Sequence, residues 1–82
     1  MKEKNKHTSE YITRILNERK LSVRQLALLA GLEHASIGQY KRGERLPHVS
    51  SLIYLTKAIS KIKGTKYKDE IFEIITVIEK DI

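Results

Sequence analysis

Residues 21–43 read LSVRQLALLAGLEHASIGQYKRG, and this stretch predicts two short helices joined by a tight turn. Ser22 suits the position before a helix, because its hydroxyl can accept a hydrogen bond from the first-turn backbone. An apolar stripe follows at helical spacing, made of Leu26, Ala27 and Ala30. Gly31 ends this helix, since glycine adopts the left-handed backbone conformation that other residues resist.

A further helix is predicted from about Glu33 to Arg42, directly after the turn. Ile37 and Tyr40 lie three residues apart and form its inward face, so the tyrosine is expected in the core and not as a stacking surface. Gly43 ends the helix. The other positions carry small or polar side chains, which is typical of an exposed helix face.

Three more helices are predicted, one before this pair and two after it. The first is capped by Thr8 or Ser9 and runs to about Lys20, and the fourth spans about Val49 to Lys61. A fifth helix spans roughly residues 66–80, and no convincing strand pattern appears. The predicted fold class is therefore all-α, with a flexible basic arm at 1–8, a core at 9–64 and a C-terminal helix within 65–82.

Length and composition limit the possible functions. A chain of 82 residues forms one small domain, and without cysteine it has neither disulfides nor thiolate metal sites. No stretch reaches the roughly 18 apolar residues that a membrane-spanning helix requires. The N-terminus lacks the apolar segment of a secretory signal. A cytoplasmic protein is expected, and neither membrane, metal nor cofactor is predicted.

The net charge of +6 indicates a polyanionic partner such as nucleic acid, although a merely soluble basic protein is an alternative. Basic residues outnumber acidic ones in residues 1–48, and residues 57–68 contain five lysines and no acid. Residues 69–82 instead hold five acidic residues and one lysine. The C-terminal helix is therefore the part least suited to lie on phosphates.

The spacing of apolar, glycine and proline residues resembles the lambda-repressor-like, Cro-type helix-turn-helix family, also called the XRE group. The matching positions fall within about residues 11–60, and they are Leu26, Ala27, Ala30, Gly31, Leu32, Ser36, Ile37, Tyr40, Gly43, Pro47, Leu52, Leu55, Ala58 and Ile59. The resemblance implies a five-helix lambda-repressor-like DNA-binding domain. It also implies that the third helix enters the major groove of double-stranded DNA and that the protein forms a dimer.

The chain departs from the family pattern at several positions of the motif. Glu33 and His48 stand where Ser or Thr commonly caps the third and fourth helices. Gly38 lies inside the third helix, at a cost of about 1 kcal/mol relative to alanine. Lys41 replaces a common glutamate, and Val23 replaces a polar residue, so that only its backbone amide can bind phosphate.

By position, the resemblance assigns base contacts to four residues of the third helix, namely His34, Ala35, Gly38 and Gln39. An amide such as that of Gln39 pairs with adenine edges, an imidazole donates to guanine, and an alanine methyl touches thymine. Phosphate contacts are expected at helix ends and loops, at Ser22, Val23, Arg24, Ser36, Lys41, Arg42 and Arg45.

The fifth helix is predicted to be the interface of a homodimer. Its apolar face is more extensive than the core is expected to need, and it consists of Ile71, Phe72, Ile74, Ile75 and Ile78. The competing interpretation is that these residues only complete the core of one chain. Leu28, on the outward face of the second helix, is a further candidate contact for a partner.

These features together predict a sequence-specific transcription regulator, a nucleoid-associated repressor that binds a palindromic double-stranded DNA operator as a homodimer. The alternatives are the DNA-binding head of a longer regulator and an antitoxin-type protein-interaction module. The initial methionine and the absence of a tag favour a complete protein. RNA binding is disfavoured because paired exposed aromatics are missing. Catalysis is not predicted, since the three histidines lie in separate segments.

Overall fold

The computed structural model describes residues 4–82, which form five α-helices and no strand. The helices are α1 (Lys6–Arg19), α2 (Val23–Ala30), α3 (His34–Lys41), α4 (Val49–Lys63) and α5 (Tyr67–Glu79). The all-α class is confirmed, and the bounds of α2 to α5 agree closely with the predicted ones. None of the helices in this part of the chain has the length and apolar composition needed to cross a membrane.

The start of α1 differs from the prediction. The helix begins at Lys6, after Asn5 in a left-handed backbone conformation, and it is not capped by Thr8 or Ser9. Residues 6–8 are helical and Thr8 is fully buried, so the predicted flexible arm is wrong for residues 6–8. Residues 1–3 of that arm lie outside the described residues. The prediction failed because the contacts that hold this helix end come from distant parts of the chain.

The N-terminus of α1 is capped by the carboxylate of Asp81, which follows the end of α5. One carboxylate oxygen accepts the backbone N–H and the hydroxyl of Thr8, each at 2.6 Å, and the other accepts the His7 N–H at 3.0 Å. Burial alone would raise the pKa of Asp81, but these hydrogen bonds hold that pKa below its ordinary value. The end of the chain therefore ties α5 to α1.

Two further hydrogen bonds tie the start of α1 to the end of α3. The Asn5 side-chain amide donates to the Gly43 carbonyl at 3.2 Å, and the Ser9 hydroxyl donates to the Lys41 carbonyl. Gly43 has a φ of +74°, and a Cβ at this position would overlap the Lys4 carbonyl oxygen. Only glycine fits here, because both the backbone conformation and the close approach of α1 exclude a side chain.

The core contains apolar side chains from all five helices, namely Tyr11, Ile12, Ile15, Leu16, Leu26, Ala27, Ala30, Ile37, Tyr40, Leu55, Ala58, Ile59 and Ile74. Burying each large side chain contributes roughly 1.5–3 kcal/mol. The predicted inward face of α3, Ile37 and Tyr40, is confirmed, since both residues are inaccessible to solvent. Helices of eight residues, such as α2 and α3, are unstable alone and depend on this packing.

The apolar face of α5 is divided between the core and the surface. Ile74 is only 1% exposed, so its predicted place in a dimer interface is wrong, and the competing interpretation holds for this residue. Ile71 and Ile78 are half-buried against the core. Phe72 and Ile75 are exposed at 75% and 44%. The helical repeat explains the division, because residues adjacent in sequence point about 100° apart around the helix.

A buried carboxylate, that of Glu70, joins the end of α4 to α5. It accepts hydrogen bonds from the Lys63 ammonium at 2.7 Å and the Thr65 hydroxyl at 3.0 Å, and the Tyr11 hydroxyl lies 3.5 Å away. The bond to Glu70 raises the pKa of Lys63. Burial, together with the charge of Glu70, raises the pKa of Tyr11. The pairing makes the burial of this charge tolerable, because an unpaired carboxylate in the interior is strongly destabilising.

Replacing Asp81 with asparagine is expected to lower the free energy of unfolding by about 1–2 kcal/mol at neutral pH, the usual effect of losing a helix cap. The pKa of Asp81 is lower in the folded state, so its stabilisation is present above the unfolded-state value of about 3.9. That stabilisation disappears as the pH falls through the folded-state pKa. Urea unfolding followed by circular dichroism between pH 7 and pH 3 measures both effects.

Glu18→Gln is the matched control for Asp81→Asn, because it removes one carboxylate from the exposed surface of α1. We expect it to change stability by less than about 0.5 kcal/mol. A loss of stability in Asp81→Asn that persists undiminished at pH 3 would contradict the role of the ionised carboxylate.

Candidate nucleic-acid interface

The N-terminus of α2 presents two backbone N–H groups without a partner inside the helix. The Ser22 hydroxyl accepts the Gln25 N–H at 3.0 Å, and the Gln25 side-chain oxygen accepts the Ser22 N–H at 2.8 Å. Leu26 bonds to the Ser22 carbonyl. The N–H groups of Val23 and Arg24 remain, and such groups at a helix N-terminus are suited to bind an anion.

The turn between α2 and α3 follows the sequence prediction. Gly31 has a φ of +71°, and its N–H and that of Leu32 bond to carbonyls at the end of α2. Glu33 precedes α3 without a side-chain bond to the helix, as expected of a residue that caps less well than Ser or Thr. The turn allows both short helices to contribute side chains to one apolar cluster.

The outward face of α3 contains most of the predicted base-contacting residues. His34 and Ala35 are exposed at the start of the helix, and Gln39 is half-buried one turn later. Ile37 and Tyr40 occupy the opposite, buried side. The helix therefore presents small and hydrogen-bonding side chains to solvent, and its orientation is fixed by the core.

Gly38 is an exception among the predicted base-contacting residues. It is buried, and a Cβ at this position would lie 3.1 Å from a terminal guanidinium nitrogen of Arg42. The predicted direct contact of Gly38 with a base would require the exposed Arg42 side chain to move, because that side chain lies over Gly38. The sequence interpretation missed this because the path of a long side chain depends on its rotamer.

Arg42 itself is paired with Glu44. Its Nε lies 2.8 Å from one carboxylate oxygen of Glu44, and a terminal nitrogen lies 3.3 Å from the other. This bidentate hydrogen bonding raises the pKa of Arg42 and lowers the pKa of Glu44. The predicted phosphate contact by Arg42 therefore requires that the phosphate replace Glu44. The acidic residue two positions after Arg42 was the available signal, and the sequence interpretation did not use it.

Arg45 and Ser36, two of the predicted phosphate contacts, lie next to each other in the structure. A terminal nitrogen of Arg45 lies 3.4 Å from the Ser36 hydroxyl, and its guanidinium carbon lies 5.7 Å from the centre of the Tyr40 ring. A cation over an aromatic ring is weakly attracted to it. The Tyr40 hydroxyl is buried and has no hydrogen-bond partner in the described part of the chain. Arg45 is therefore held beside α3 although it belongs to the following loop.

Arg24 and Lys41, like Arg45, have no acidic partner in the described part of the chain. Arg24 and Lys41 are both exposed. Arg24 also borders a groove of about 380 Å³ between α2 and α3, which is lined as well by Ala27, Leu28, Leu32, Glu33, His34 and Ala35. The N-terminal end of α2, with its two free N–H groups, and the exposed start of α3 therefore share one surface.

Within residues 4–82, no cluster of histidine, aspartate and glutamate side chains is arranged to hold a metal ion. Comparisons with protein-family profiles, curated proteins and solved structures give no match to this chain.

Proposed function

We propose that the chain binds double-stranded DNA in a sequence-specific way, with α3 in the major groove and α2 across the phosphate backbone. The observation that carries the proposal is the orientation of α3. The core holds Ile37 and Tyr40, so His34, Ala35 and Gln39 are available to a ligand. The major groove of DNA accommodates one α-helix, and a helix with small and hydrogen-bonding residues can approach base edges closely.

In this arrangement the three side chains differ in their base contacts. The Gln39 amide is suited to pair with an adenine, whose major-groove edge offers one donor and one acceptor. The His34 imidazole can donate to a guanine, and the Ala35 methyl can contact a thymine methyl. Gly38 has no direct contact in this proposal, because Arg42 lies over it.

Phosphates are bound on both sides of α3. The free N–H groups of Val23 and Arg24, with the Ser22 hydroxyl, hold one phosphate at the start of α2. Lys41 and Arg45 attract the backbone at the other end of α3, and Ser36 lies beside Arg45. Arg42 joins this group once it exchanges Glu44 for a phosphate oxygen.

The proposal includes a homodimer on a two-fold symmetric operator and a role in transcription regulation, most simply repression by occupying the site. A dimer has two α3 helices, one from each chain. These helices read two half-sites that lie about one helical turn, roughly 10 bp, apart. Such a dimer also doubles the number of phosphate contacts, which supply much of the affinity for DNA.

Gln39→Ala is expected to change base preference, whereas Lys41→Ala weakens binding to every duplex. Loss of the Gln39 contact should cost about 1–3 kcal/mol at one position of the site. Lys41 contacts only the DNA phosphate backbone in this proposal. Its loss should therefore reduce the slope of log affinity against log salt concentration by about one. Fluorescence anisotropy with a duplex selected from a random library, and with single-base variants of it, measures both.

Lys80→Ala is the control for Lys41→Ala, since it removes an exposed lysine from the acidic C-terminal segment. It should leave affinity unchanged. If Gln39→Ala keeps the original base preference, the assignment of α3 residues to bases is wrong. If single-stranded DNA or RNA competes as well as the duplex, the proposed function itself is wrong.

Glu44→Gln is expected to strengthen binding to all duplexes. The substitution releases the Arg42 guanidinium from its ion pair, and one more phosphate contact steepens the slope of log affinity against log salt by about 0.9. The same titration with Arg42→Ala and with the Arg42→Ala/Glu44→Gln double variant separates this release from a general loss of negative charge. A gain that survives in the double variant would contradict the release of Arg42.

A further inference from the structure

One side of α5 carries four exposed residues in a row, Lys68, Phe72, Ile75 and Glu79. Their spacings of four, three and four residues place them within about 60° of one another around the helix, because each residue adds about 100°. We call these four residues the α5 stripe. Its centre is apolar, since Phe72 and Ile75 are 75% and 44% exposed, and its two ends carry opposite charges.

The two charges of the α5 stripe have no partner within the described residues, where every ion pair involves other side chains. Each charge also lies at the end of α5 where the helix dipole disfavours it. Lys68 lies in the first turn of α5, where the helix dipole is positive, and Glu79 is its last residue, where the dipole is negative. In a single chain both charges therefore slightly destabilise α5.

An antiparallel pairing of two α5 helices resolves both features at once. A two-fold axis midway between Phe72 and Ile75 sets Phe72 of each copy opposite Ile75 of the other. The same axis sets Lys68 opposite Glu79, because these residues are equally distant from that midpoint. Each charge then meets an opposite charge and the favourable end of the other helix dipole.

We propose that α5 binds α5 of a second copy of this chain in this antiparallel register. The order of residues along the stripe selects a second copy as the occupant, since the surface is complementary to itself when reversed. Ile74, Ile71 and Ile78 serve the core of each chain and lie at or beneath the edges of the contact. This inference deepens the homodimer of the proposed function, and it does not depend on DNA binding by α3.

The test is a charge exchange measured by sedimentation equilibrium without DNA. Lys68→Glu or Glu79→Lys alone sets like charges opposite each other twice in the dimer. Each is expected to raise the dissociation constant about tenfold. The double variant Lys68→Glu/Glu79→Lys restores opposite pairs and should return to within about threefold of the original chain. Phe72→Ala should also weaken the dimer, because each phenyl ring contacts the other copy.

Folding and general charge effects are separated by two controls. Lys57→Glu makes the same charge change on the exposed surface of α4 and should not alter the dimer. Circular dichroism of Lys68→Glu should show no loss of helix, because glutamate suits the first turn of α5. These results support the register.

The register is overturned if the original chain sediments as a monomer, if the single reversals have no effect, or if the double variant stays as weak as they are. Because DNA is absent from the experiment, such a result leaves binding of DNA by α3 to be judged by the Gln39 and Lys41 variants alone.

Discussion

The position of α3 depends on two buried side chains, Ile37 and Tyr40, which are the only ones that this eight-residue helix contributes to the core. An isolated helix of this length is unstable, so its existence and its orientation both come from packing. Because these two residues fill one side, the other side is free to carry His34, Ala35 and Gln39. Any substitution that loosens this packing would disturb the whole outward surface without touching it.

The ends of the chain reinforce that arrangement. Asp81 caps α1 from beyond α5, and the start of α1 in turn bonds to the carbonyls of Lys41 and Gly43 at the end of α3. The C-terminal helix, α5, is thereby connected to α3 through α1. The surface of α5 itself is acidic. A protein of this size has a small core, and such long-range hydrogen bonds fix helix ends that the core does not reach.

Local patterns of the sequence predict much of this structure, because caps, glycine turns and helical periodicity act over a few residues. Ser22, Gly31 and the Ile37–Tyr40 pair take the places that their spacing indicates. The bond between Thr8 and Asp81 spans 73 residues and has no periodic signature, so the start of α1 was wrongly predicted. The division of the α5 apolar face likewise depends on which side meets the core, which composition does not specify. The position of the Arg42 side chain over Gly38 depends on its rotamer, and no sequence pattern encodes a rotamer.

Binding of DNA through α3 is tested most directly by nuclear magnetic resonance of the ¹⁵N-labelled chain during titration with its selected duplex. Saturable shifts are expected at the amides of Val23, Arg24, His34, Ala35 and Gln39, with the exposed side of α5 unaffected by the added DNA. Shifts confined to α5, or an absence of saturable shifts at the start of α2 and along α3, would contradict the central claim.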